Sequence, residues 1–208
     1  MPSSDAPCTV YTPPRITVAL ESAGQGWGLI MQSGVSVPCT VGIPLKTLLH
    51  EEFGLTPEQT GRINVMFLDG KPVDTPETAI VPHGARLALA AGLPGIVGLS
   101  MRSGSAVRGL RPGITFIRED ETKTAIPGPG KVELALFSLA HGLLAEHFLA
   151  RGVIVRAEQF VSYARRFKGV TCLFCGQHRS VAGVLKELIH LPEDTPVFLT
   201  VRTAAYST

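Results

Sequence analysis

Charge is scarce in this chain. Asp, Glu, Lys and Arg make up 17% of its 208 residues and balance to a net +2. So small an imbalance gives no field to gather a nucleic acid or an anionic membrane surface, and neither is expected as a partner. Cysteine is scarce too: Cys8, Cys39, Cys172 and Cys175 are too few for a disulfide framework at this length and read as reduced thiols. There is no long apolar run. The longest uncharged stretch, 22–45, is broken by Gly24, Gly26, Gly28, Gly34, Pro38, Gly42 and Pro44, whereas a membrane-spanning helix needs about 20 mostly apolar residues in succession. The first 14 residues carry Asp5 where a secretory leader needs positive charge, and no apolar run follows. Together these absences lead us to expect a cytoplasmic location and no membrane partner.

What is present is core material. Apolar residues make up 45% of the sequence, enough for a hydrophobic interior. Residues 1–14, rich in Pro, Ser and Thr, read as a flexible arm. Ile16, Val18 and Leu20 alternate with Arg15, Thr17, Ala19 and Glu21, the period of a half-buried strand. Strand character resumes over 27–40. Pro44 suits a first helical position, Leu45, Leu48, Leu49 and Phe53 form a helical stripe, and Gly54 is placed to end it. Thr56 and Gln59 stand at capping-box spacing. Strands follow at 62–68, ending in the turn Asp69-Gly70, and at 86–91, with short extended pieces at 72–74 and 80–81 between them.

The order strand, strand, helix, strand, short strand, strand over residues 15–98 resembles the β-grasp fold, in which one helix lies across a mixed sheet. The segment Phe67-Leu68-Asp69-Gly70-Lys71-Pro72-Val73, followed by Ile80, Gly84 and Leu87-Ala88-Leu89, is similar to the second half of ubiquitin-like domains and of the sulfur carriers of cofactor synthesis. Such carriers work through a C-terminal Gly-Gly. Here Gly92-Leu93-Pro94-Gly95 follows the last strand and the chain continues, so the resemblance implies a fold and no carrier chemistry.

Residues 99–130, rich in Gly, Arg and Pro, read as a connection with a possible strand at 114–117. Residues 131–208 read as a smaller α/β domain. Its long central helix is expected over 131–151, from the stripes Val132, Leu136, Leu139, Leu143 and Phe137, Leu144, Phe148. A strand at 153–155, a helix at 157–167, a strand at 169–174, a helix at 181–188 and a closing strand at 196–203 complete it. The expected fold class is α+β: a β-grasp-like module followed by this domain.

Three constellations carry possible chemistry. Cys172-Leu173-Phe174-Cys175-Gly176-Gln177-His178-Arg179-Ser180 contains a Cys-x-x-Cys that supports redox or sulfur handling if a helix N-terminus lowers a thiol pKa. The same segment resembles a rhodanese active-site loop, although Cys175 to Arg179 is one residue shorter than that loop. In this alternative the catalytic residues are Cys172, Cys175, His178 and Arg179. If the segment is a strand, the two cysteines are ordinary thiols. The second constellation, Arg102, Arg108 and Arg111 in the Gly/Arg stretch 102–113, can hold an anion or nucleotide through guanidinium and backbone N–H groups. The third, His147 and Arg151, falls in line with Glu133 on the expected long helix and can face a cleft.

The sequence reads best as a non-enzymatic module binding a protein or a small ligand, with no cofactor or metal, assembled as a homodimer or larger homo-oligomer.

Overall fold

A computed structural model of the chain describes residues 13–20, 26–92, 126–166 and 171–203. The fold class is α+β. Among the described residues, ten strands form one mixed sheet in the order β11-β10-β1-β12-β9-β2-β8-β7-β4-β5. The strands are β1 (Arg15–Leu20), β2 (Val35–Val41), β4 (Val65–Leu68), β5 (Lys71–Pro72), β7 (Arg86–Ala91), β8 (Gly128–Ser138), β9 (Val153–Arg156), β10 (Thr171–Phe174), β11 (Gln177–Ser180) and β12 (Pro196–Thr203). A two-stranded ribbon, β3 (Ile43–Pro44) with β6 (Ile80–Val81), lies apart.

The sheet does not divide where residues 15–98 and 131–208 were expected to separate. β1 runs parallel to β12 and antiparallel to β10. β8 inserts between β2, to which it is antiparallel, and β7, to which it is parallel. Each sequence half therefore supplies strands to the other's part of the sheet. The pairing of β1 with a C-terminal strand rather than with β2 needs partners about 180 residues away, which no local period reports.

Two expected elements change type. Residues 128–138 are a strand, and only Leu139–Arg151 (α3) is helical. Val132, Leu134 and Leu136 are buried while Lys131 and Phe137 are exposed, so the period of two governs. The helical stripe through Val132 and Leu136 was a coincidence, since a spacing of four satisfies both periods. Trp27–Ser33 is a 3₁₀ helix, not a strand, held with Trp27, Ile30 and Met31 inside. Other local readings hold. Thr56 and Gln59 form the capping box that starts α2 (Pro57–Arg62). Before it, α1 (Leu45–Thr47) runs into a π-helical turn, Leu48–Glu52, and Gly54 follows at φ +69°. α4 (Ala157–Ala164) and α5 (Val181–Leu188) match their expected spans closely.

All these helices cover one face of the sheet. Phe148 of α3 meets Phe53 edge-on at 5.1 Å, and Phe160 of α4 lies 5.7 Å from Trp27. Beneath them Ile16, Val37, Leu134, Leu136, Leu87, Val155 and Leu199 form a continuous core. The opposite face carries no helix among the described residues. No described helix is long and apolar enough to cross a membrane.

Candidate functional site

The Cys-x-x-Cys segment is a β-hairpin. β10 and β11 pair antiparallel with Cys172 opposite Arg179 and Phe174 opposite Gln177. Cys175 and Gly176 make the two-residue turn, with φ +47° and +84°, the left-handed pair that a tight hairpin needs. Cys172 is buried and Cys175 exposed, and both are free thiols. Burial pushes the Cys172 thiol up, partly offset by the charge of Arg179, the opposite of what a reactive thiolate requires. The Arg179 guanidinium is engaged, paired with Glu187 at 2.5 Å and set over the Phe174 ring at 5.8 Å. His178 is exposed on the edge strand. No described group of three or more Cys, His, Asp or Glu could hold a metal ion.

His147 and Arg151 face the helical segment before them. His147 Nε2 lies 2.6 Å from the Phe53 carbonyl, and Arg151 donates to the Glu52 carbonyl. They fasten α3 to the turn at Leu48–Glu52. Glu133 stands away from them on β8, so the expected polar line does not exist. Arg102, Arg108 and Arg111 lie outside the described residues.

The concavity of interest is one that the sequence reading missed. On the uncovered face, register places Arg86, Glu133, Ser36, Ile154, Phe198 and Arg15 in one row across six adjacent strands, β7, β8, β2, β9, β12 and β1. Directly opposed residues project to the same side of a sheet. At one end of the row the Phe198 ring covers Gly152, where a Cβ would lie only 2.4 Å from the ring, and Arg15 caps the ring at 5.1 Å. In the middle, Gly34, Ser36, Ala88 and Ala135 are too small to fill the space above the strands. The result is a trough of about 830 Å³, within the usual range for small-molecule clefts. Phe67 and Arg86 stand on one wall and Ile154, Arg156 and Pro196 on the other. Phe137, Lys131 and Glu133 also line it.

Its electrostatics are uneven. The Ser36 hydroxyl, 6% exposed, donates to Glu133 Oε1, and Lys131 Nζ lies 3.8 Å from the same oxygen. Glu133 is thus doubly engaged. Arg86 uses its backbone N–H to meet Asp69 Oδ1 at 2.8 Å, but among the described residues no carboxylate lies within ion-pair distance of its guanidinium. The same holds for Arg156, whose backbone N–H meets Gln159 Oε1.

No protein-family model matches this chain, and no curated protein or solved structure is significantly similar to it.

Proposed function

We propose that the chain is a binding protein that receives its ligand on the uncovered face of the sheet, in the trough over Gly34, Ser36, Ala88 and Ala135. The observation that carries this reading is the one-sided sheet. Among the described residues, ten strands are covered by helices on one side only, and the other side holds a concavity of about 830 Å³ with apolar walls and a few placed charges. A sheet face left bare of helices favours a further occupant. The Cys172/Cys175 alternative draws no such support, because one thiol is buried and the other sits at a turn tip.

The grasp-like reading of the first half becomes a permuted one. The mixed run β2-β8-β7-β4-β5, with the helical segment of Leu45–Glu52 against it, supports it. β8, not β1, then supplies the strand beside β7. A reducing cytoplasmic setting suits the free thiols of Cys39, Cys172 and Cys175.

The test is a fragment screen by amide chemical-shift mapping on the full chain. Shifts gathered on Gly34, Ser36, Ala88, Ala135 and Ile154 are the expected result. Fragments that gather on the helical side, or nowhere, would remove this reading.

A further inference from the structure

We infer that the ligand of this trough is a planar ring bearing an anionic group; the inference rests on the trough being the binding site. The floor sets the shape. Gly34 lies beside Ala135 by continuation of the β2–β8 register, and Ala135 pairs directly with Ala88. Three small residues across three strands leave a shelf about 10 Å wide, two strand spacings, the size of a fused bicyclic ring. A glycine or alanine floor lets a flat group approach the strands, as larger side chains would not. Phe67 and Phe137 stand beside the shelf, and aromatic edges favour another ring.

The walls set the charge. Among the described residues, five charged side chains line the trough: Arg86, Lys131, Arg156, Glu133 and Asp194. Lys131 and Glu133 answer one another, with Ser36 holding the carboxylate. That leaves Arg86 and Arg156, on opposite walls, against Asp194 alone. A guanidinium without a carboxylate partner offers paired donors to a carboxylate, sulfonate or phosphate and a flat surface to a ring. Among the described residues, a cationic ligand would meet two positive groups with no carboxylate at ion-pair distance and one negative group.

The test uses three probes with the same ring: naphthalene sulfonate, naphthalene methanol and naphthyl methylammonium. Each is titrated into the full chain and followed by amide chemical shifts. The sulfonate is expected to move the trough resonances and to bind about tenfold more tightly than the alcohol, with affinity falling as salt rises. Arg86→Gln and Arg156→Gln, both exposed positions, should each weaken the sulfonate about three- to tenfold and weaken the alcohol by a smaller factor, with melting temperatures held. If the alcohol or the ammonium binds the trough as tightly as the sulfonate, the anionic ligand is wrong and the trough still stands as a binding site. If none of the three moves the trough resonances, both are wrong.

Discussion

The carboxylate of Glu52 accepts the backbone N–H of Thr40 at 2.8 Å. This bond closes a gap in the sheet. β2 meets β9 only through Ser36 and Ile154, so its later N–H groups on that edge have no strand to bond among the described residues. Pro38, two residues earlier on the same edge, has no N–H to satisfy. Thr40 does, and the helical turn at Leu48–Glu52 supplies the acceptor. Glu52 is held below the usual carboxylate range chiefly by this bond, with Arg151 adding to it. Glu52→Ala should therefore destabilise the fold by about 1–2 kcal/mol in urea unfolding at neutral pH. A depressed folded pKa means the contribution is present above the unfolded value, roughly 4.3, and is lost as pH falls through the folded one. The gap between wild type and variant should narrow below about pH 4. A gap that is constant with pH would show that the charge plays no part.

The hairpin at Cys172 and Cys175 gives a chemical test. At neutral pH, Cys175 should alkylate at the rate of an exposed thiol, while Cys172 and Cys39 react only on opening, as mass spectrometry of native protein would read. Burial pushes the Cys39 thiol up to about 11, with Glu52 adding to it, so it stays protonated well above neutrality. Sign follows: a raised folded pKa makes stability fall as pH rises past the unfolded thiol value of about 8.5. Cys172→Ser places a hydroxyl among apolar neighbours and should cost on the order of 1–3 kcal/mol. Equal reactivity of Cys172 and Cys175, or a disulfide between them, would return the redox reading to contention.

Much of the local structure was legible in the sequence. Thr56 and Gln59 announced a helix start because capping is a short-range bond, and Asp69-Gly70 announced a turn because few residues tolerate positive φ. What misled was any segment whose apolar spacing fits two periods. Val132 and Leu136 are four apart, a separation common to a helix face and a strand face, and only the burial of Leu134 between them decides. The trough was invisible for a different reason. Ala88, Ala135 and Gly34 are unremarkable residues in three distant segments. They become a floor only because β8 inserts between β2 and β7, a pairing set by tertiary structure. Arg86 and Arg156 likewise become opposite walls only once four strands are in order.

Self-association is expected from the exposed apolar side chains. Leu139 is 69% and Phe137 42% exposed around the junction of β8 and α3, and Ile189 is 55% exposed beyond α5. Apolar side chains left in water at these places favour burial against a second copy. Sedimentation velocity at micromolar concentration should give a dimer or larger species. Leu139→Lys should shift it toward monomer if that junction is the contact, and Ile189→Lys if the end of α5 is. A wild-type monomer would end the argument from composition.

Gly152 offers the sharpest test of the fold. It joins α3 to β9 at φ +103°, a conformation that residues with a Cβ rarely adopt, and a Cβ there would lie 2.4 Å from the tip of the Phe198 ring. The two causes act together. Strain at such a backbone angle is worth about 1–3 kcal/mol, and crowding a packed ring about as much again. Gly152→Ala should thus lower stability by roughly 2–6 kcal/mol, whereas Gly61→Ala, in open space on α2, should be neutral or stabilising by up to about 1 kcal/mol. The causes separate in a double-mutant cycle. Phe198→Ala removes the obstacle, so the pair Gly152→Ala with Phe198→Ala should be less destabilised than the sum of the singles by about 1–3 kcal/mol. Strict additivity would mean that the ring does not lie over Gly152, and with it would go the order of β9 and β12 that forms one wall of the trough.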